Sequence, residues 1–291
     1  MSNYSELCTA SGDLLGTGRG TCAKSLGPDI RFFLSTSAFT GTAAQLKTQA
    51  YWEAAIVAET VIPFPEVMEI EPQNVEAAYY ESPSGSTFKM KNEKRKTMYK
   101  FIENIVTHSG MKSYSDRSWK IWFYTKNGFL RGHTVSADLY EGLDVSNFFV
   151  NAQETPTYDA VEQTPVVVEF TDADDWDKEF VVLQPAFNMM DLEGVFDTIL
   201  TIGSISTGAT LVVPTTVTIK GSNAVVAGLA KEQFILLDGS GNVLSISSAT
   251  ESPSGTYAVT ATTAVITGTV QLSAVVTVSS TYYQSDATTY A

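Results

Sequence analysis

Two periodicities divide this chain. Between Thr42 and Thr60, the residues Leu46, Ala50, Ala54 and Val57 recur at the spacing of one helical face, alanine is abundant, and Pro63 lies past the end. That pattern predicts one long helix, stopped by the proline. Elsewhere the period is mostly two. Val67–Glu71, Val75–Glu81, Ser86–Lys91, Lys100–Val106, Trp119–Thr125, Phe129–Val135, Val166–Thr171 and Lys178–Leu183 alternate apolar with polar residues or concentrate β-formers, which predicts strands. Ser82-Pro-Ser-Gly85 and Lys126-Asn-Gly128 separate neighbouring strands, and Asn-Gly supplies the positive φ angles of a tight hairpin turn.

After Thr201 the composition changes. Thr210–Lys220, Phe234–Asp238, Val243–Ser247, Thr256–Ala261 and Val270–Val278 alternate apolar residues with Thr, Ser or Ala. Gly221-Ser-Asn, Asp238-Gly-Ser-Gly-Asn242 and Ser252-Pro-Ser-Gly255 punctuate them. Short strands at this spacing predict a small antiparallel sandwich. At 291 residues the chain is long enough for two cores. The expected division is 1–203, mainly antiparallel β with one flanking helix and an N-terminal arm, and 204–291, with residues 186–203 as the connection.

Charge sharpens this division. The net charge is −14, of which residues 201–291 carry only −2 and the first two hundred residues −12. That balance argues against binding a nucleic-acid backbone, while a surface that nucleic acid slides past without sticking is compatible with it. No run approaches the ~18 apolar residues of a membrane span. The N-terminus lacks the basic start and apolar run of a secretory signal, so folding in the cytoplasm is expected.

The residues that could carry chemistry are few. Gly16-Thr-Gly-Arg-Gly20 is followed by Thr21-Cys22 in place of the Lys-Ser/Thr pair of a phosphate loop. Cys8 and Cys22 make no disulfide framework; reduced thiols and a single bridge both remain open. Asp172, Asp174, Asp175 and Asp177 fail the EF-hand pattern, since Trp176 and Asp177 hold its fifth and sixth positions. His108, at an expected strand-to-turn junction, and His133, on a hairpin strand, stand without an evident nucleophile and carboxylate partner. No enzyme, cofactor or metal site is expected. Trp119, Trp122, Phe123 and Tyr124 put aromatics on both faces of one strand; packing within the chain or against a second subunit would each bury them.

Lys89, Lys91, Lys94, Arg95, Lys96 and Lys100 gather six of the 18 basic residues into one segment of an acidic chain. Three readings are available: a solvated hairpin tip, a loop that meets the acidic surface of a neighbouring identical subunit, and nucleic-acid contact, which the acidic remainder of the chain disfavours. Each contact between subunits contributes ~0–1 kcal/mol, but repeated around a ring it sets register.

This layout resembles the major tail tube proteins of tailed bacteriophages. The residues that carry the likeness are the helix of Thr42–Thr60, the loop of Lys89–Lys100 and the hairpin Asn127-Gly-Phe-Leu-Arg-Gly132. In the last part of the chain, Ile235-Leu-Leu-Asp-Gly-Ser-Gly-Asn-Val243 and Ala249-Thr-Glu-Ser-Pro-Ser-Gly-Thr-Tyr257 are similar to bacterial and phage immunoglobulin-like repeats. The resemblance implies a tube-forming β-sandwich or barrel followed by an Ig-like sandwich. It implies hexameric, stacked rings joined edge to edge, contacts with other tail proteins, and a lumen that DNA crosses without binding. The protein would be made and assembled in the host cytoplasm and reside in the virion tail. The second domain would project outward, in weak contact with host surface or glycan. Two other roles compete: a capsid decoration or head–tail joining protein, and a surface carbohydrate-binding or adhesin module.

Overall fold

Trp122 and Phe123 are consecutive, point to opposite faces of one strand, and are both fully buried. The chain itself supplies both covers, and the rest of the first unit is built around this strand. The computed structural model describes residues 4–6, 27–83, 86–91, 93–158, 161–171, 179–263 and 265–291. Cys8, Cys22, Gly16–Gly20 and Asp172–Asp177 lie outside the described residues. The chain is mainly β, with several antiparallel sheets and a half-barrel. It forms two compact units, 1–192 and 193–291.

In the first unit the strands are β1 (Tyr4–Ser5), β2 (Asp29–Ser35), β3 (Val61–Glu66), β4 (Glu69–Pro72), β5 (Ala78–Glu81), β6 (Thr87–Lys91) and β7 (Lys96–Phe101). They continue as β8 (Lys120–Thr125), β9 (Leu130–Ser136), β10 (Leu139–Glu141), β11 (Leu143–Val150), β12 (Thr164–Phe170) and β13 (Phe180–Leu183). β8 pairs with β2 along one edge and with β9 and β11 along the other. β11 bends at a register shift between Val145 and Asn147, leaving β8 to pair with β12, as a bulge allows. On the far side, residues 61–72 pass from β3 beside β2 to β4 beside β7. The sheet thus wraps a core of Phe32, Phe64, Tyr99, Phe101, Phe123, Phe148 and Val168. Phe32 stacks on Phe64 at 4.7 Å and meets Tyr99 edge-on at 5.5 Å; such pairs add ~0.5–1.5 kcal/mol each beyond area burial. Pro63 and Pro65 on β3, and Pro72 on β4, sit on edge strands, where a missing N–H is tolerated.

The expected helix of 42–60 is two helices, α1 (Ala43–Leu46) and α2 (Gln49–Val57). Thr42 caps the first, accepting from the Gln45 amide at 3.4 Å while Gln45 Oε1 accepts from the Thr42 amide at 2.9 Å. Thr48 is extended and breaks the run. Trp52 Nε1 donates to the Leu46 carbonyl at 2.8 Å and ties the pieces together. Trp52 then packs 5.7 Å from Trp122 and 5.2 Å from Phe33, covering the second face of β8. The run Lys100–Val106 is not one strand: β7 ends at Phe101, and α3 (Ile105–Lys112) follows. Asn104 caps it, accepting from Val106 and Thr107 amides at 2.9 and 3.0 Å. One flanking helix is therefore corrected to three among the described residues.

The second unit contains β14 (Val195–Ile202), β15 (Ser206–Thr207), β16 (Leu211–Ile219), β17 (Phe234–Asp238), β18 (Val243–Leu244) and β19 (Ile246–Glu251). It closes with β20 (Thr256–Ala261), β21 (Gly268–Leu272), β22 (Val276–Val278), β23 (Thr281–Ser285) and β24 (Thr288–Tyr290). One sheet runs β19-β20-β16-β14-β23-β22 and the other β18-β17-β21-β24, over a core that includes Val213, Leu236, Tyr257, Val259 and Val270. The boundary falls at 192/193 and not at 203/204, because β14 pairs with β16 and β23. Two expected strands are each divided between sheets. Val243–Ser247 splits into β18 and β19, and Val270–Val278 into β21 and β22, with Ala274 at positive φ between them.

Candidate assembly interface

β4 and β7 do not stop where the sheet stops. Their ladder, Glu69 opposite Lys100 to Pro72 opposite Thr97, continues through a bridge between Val75 and Lys94 into β5 and β6. The result is one ribbon whose base is flanked by β12 and whose distal part, among the described residues, pairs only with itself. Residues 73–82, at ~3.3 Å each, reach at most roughly 30 Å beyond the sheet. On the distal part Tyr80 faces Phe88 and Tyr79 faces Lys89 across the strands. Period two puts Tyr80, Phe88 and Met90 on one face and Tyr79 with Lys89 on the other. All five side chains are exposed. A two-stranded ribbon with no flanking layer is marginal in water, and clustered exposed apolar side chains mark interaction surfaces.

The structure distributes the six basic residues along this ribbon. Lys89 and Lys91 belong to distal β6, and Lys89 has no carboxylate partner among the described residues. Lys94 lies where the ribbon leaves the sheet, its Nζ 2.7 Å from Glu169 Oε1 on β12. Lys94 and the Asn147 amide, 3.0 Å away, hold the Glu169 carboxyl below its ordinary value. The Arg95 carbonyl accepts from the Phe170 amide at 3.0 Å, and the Lys96 amide donates to Asn74 Oδ1 at 3.1 Å. Lys100, on β7, pairs with Glu69 at 3.2 Å and Glu71 at 3.7 Å, and the Glu69 contact raises its pKa. The basic segment is therefore not one loop. Lys94 and Lys100 clamp the base, and Lys89 and Lys91 travel with the projection.

Among the described residues, both histidines are held by neighbouring side chains. His108 sits on α3, not at a strand end, with Nδ1 3.2 Å from Thr164 Oγ1. Thr164 is completely buried, so this hydroxyl is shut off from any substrate. His133 lies between Glu179, 3.1 Å from Nε2, and Glu141, 3.5 Å from Nδ1. Lys120 joins Glu141 at 2.7 Å and Asp144 at 2.6 Å. Although burial alone would raise Glu141, the His133 and Lys120 contacts together leave it lowered. Beneath β9, Arg131 donates to both Asp29 oxygens, at 2.9 and 3.0 Å. Burial still outweighs that cation and raises Asp29, and burial pushes the Tyr99 hydroxyl well up. Among the described residues no group of three or more His, Cys, Asp or Glu is placed to hold a metal ion. No helix among them is long and apolar enough to cross a membrane.

Sequence reasoning located the basic segment and its turn but not the exposed apolar set on the same strands. The signal was present: Tyr79-Tyr80 and Phe88-Lys-Met90 flank Ser82-Pro-Ser-Gly85. No protein family matches the chain, and no curated protein matches it significantly in sequence.

Proposed function

We propose that this protein is a structural component that joins copies of itself, of the kind that builds the tail tube of a tailed bacteriophage. The observation that carries the reading is the distal ribbon: a two-stranded projection with Tyr80, Phe88 and Met90 exposed on one face and Tyr79 and Lys89 on the other. A second copy offers what the described residues of the same chain do not supply there, an apolar cover for that face. The prolines of β3 and β4 disfavour joining of copies at those sheet edges, which directs assembly to the ribbon. In this reading copies close into rings, hexameric and stacked, and the second unit faces outward as an Ig-like module. The charge of the first two hundred residues keeps passing DNA from sticking.

The test is assembly of the purified full chain, followed by negative-stain microscopy and sedimentation velocity over a concentration series. Rings or tubes are expected. A single monomeric species at every concentration, in the presence or absence of other virion proteins, overturns the reading.

A further inference from the structure

β9 changes neighbours along its length, and His133 stands where it does. Leu130 and Arg131 pair with Tyr124 and Phe123 of β8, whereas His133 pairs with Glu141 of β10. On its other edge β9 meets β13, with His133 opposite Phe180, and β13 in turn holds β1. The Thr134 amide donates to the Glu179 carbonyl at 2.7 Å, which fixes the residue leading into β13 beside the ring. Both ring nitrogens then face carboxylates. Nε2 lies 3.1 Å from Glu179 Oε2, and Nδ1 lies 3.5 Å from Glu141 Oε1.

A neutral imidazole has one N–H and one lone pair, and an ionised carboxylate only accepts. With a carboxylate at each nitrogen, either neutral tautomer aims its lone pair at a negative oxygen. The imidazolium offers a hydrogen to both. The surrounding charges favour it as well. Lys120 of β8 reaches Glu141 at 2.7 Å and Asp144 of β11 at 2.6 Å. Arg131, two residues away on β9, is engaged by Asp29 at 2.9 Å. Among the described residues, Glu141, Glu179 and Asp144 thus share one ammonium, that of Lys120, and a protonated His133 halves the excess of negative charge. The side chains of His133, Glu141 and Lys120 are only 11%, 12% and 13% exposed, so solvent screens this group weakly. Burial disfavours an isolated imidazolium, but carboxylates within ~4 Å favour it, and no neutral tautomer satisfies both of them.

We infer that His133 is a proton-operated clamp: its imidazolium bridges Glu141 of β10 and Glu179 at the head of β13, and loss of the second proton releases that head from β9. The inference is independent of the self-assembly reading. A cation favoured by folding contributes fully below the ordinary imidazole value of about 6.5, and its contribution is lost as pH rises through the higher value of the folded state. The clamp is therefore closed in mild acid and opens as pH rises. Val181, Val182 and Leu183 are buried, which confines the opening to Glu179 and Phe180.

Histidine side-chain NMR of the full chain, over about pH 5 to 9, tests the inference. The sequence holds two histidines, and His133→Gln identifies the His133 signal. His133 is expected to bind its proton about tenfold more tightly than a free imidazole, and Glu179→Gln to remove several-fold of that gain. Exchange of the Thr134 amide, corrected for its intrinsic pH dependence, reports the head of β13 in the same samples. It is expected to be about tenfold slower in wild type than in His133→Gln below the His133 midpoint, and closely similar above it. If His133→Gln does not fold, Glu179→Gln takes its place in both measurements, since it shifts the titration of His133 and leaves His108 unmoved. A His133 midpoint at or below about 6.5 overturns the inference. So does Thr134 exchange with the same pH dependence in wild type and variant.

Discussion

β6 and β7 carry almost the same text and meet opposite fates. Thr87-Phe-Lys-Met-Lys and Lys96-Thr-Met-Tyr-Lys-Phe both alternate apolar with polar or basic residues, and both belong to one ribbon. On β7, Tyr99 is 1% and Phe101 0% exposed, while on β6, Phe88 is 55% and Met90 71% exposed. The ladder hydrogen bonds are of the same kind in both. What differs is the layer beneath: β7 lies over Phe32, Phe64 and Phe123, and β6 lies over no layer among the described residues. An alternating strand calls for a covering face, and the fold decides whether the same molecule provides it.

Alanine at matched positions should break the symmetry most strongly. Phe101→Ala removes a fully buried ring from the aromatic core and is expected to lower the stability of the first unit by about 3–5 kcal/mol. Phe88→Ala should leave it within ~0.5 kcal/mol of wild type, with its cost confined to association. Urea denaturation of non-associating samples, followed by tryptophan fluorescence, reads the first effect. Trp52, Trp119 and Trp122 all belong to the first unit's core or its covering helices. If the two substitutions cost the same, the distal strand is packed in solution and the contrast fails.

A smaller effect is expected where the backbone itself comes close to the covered face of β8. A Cβ on Gly132 would lie 2.4 Å from the Trp122 ring and 2.5 Å from the Glu141 carbonyl oxygen. Neither can retreat, since Trp122 is wedged between Phe39 and Trp52 and the carbonyl is main chain. Gly132→Ala is therefore expected to cost about 1–3 kcal/mol. Gly110, which has open space around it on α3, should accept alanine without loss and with a slight gain in helix propensity. Comparing the two melts separates packing from glycine content.

How far this could be read beforehand depends on which force sets each feature. Local chemistry was legible. The strands flanking Asn127-Gly128 stand where alternation placed them, and Ser252-Pro-Ser-Gly255 turns β19 into β20. Finer backbone detail was not. Only Gly128 of the Asn-Gly pair has positive φ, and its amide bonds to the Thr125 carbonyl at 2.9 Å, so the loop is longer than a two-residue turn. α3 escaped because Ile105 and Val106, β-branched residues read as strand, follow Lys100-Phe101 without a break, and Asn104 alone marks the cap. The runs at 243–247 and 270–278 looked continuous because a strand that changes sheets keeps its apolar residues pointing inward. The apolar set on the ribbon was legible in Tyr79-Tyr80 and Phe88-Lys-Met90, but its exposure was not: alternation records that one face wants covering, not who covers it.

The smallest effect concerns the charge that pins the ribbon where it leaves the sheet. Lys94 pairs with Glu169 at that point, whereas Lys89, a few residues out, has no such partner among the described residues. An exposed pair of this kind contributes ~0–1 kcal/mol, so Lys94→Met should cost no more than that at neutral pH, and Lys89→Met nothing measurable in the isolated chain. The pH dependence distinguishes the pair from a packing change. Lys94 and Asn147 lower the folded-state pKa of Glu169 below its ordinary 4.5. Its contribution is therefore complete above that value and is lost as pH falls through the folded-state pKa. The stability gap between wild type and Lys94→Met should be constant from pH 7 down to about 5 and then close on further acidification. Urea midpoints at a series of pH values measure it. A gap that persists unchanged into acid would mean that the Lys94 stem packs against the ribbon and the charge does nothing there, and the base would then differ from the distal part by burial alone.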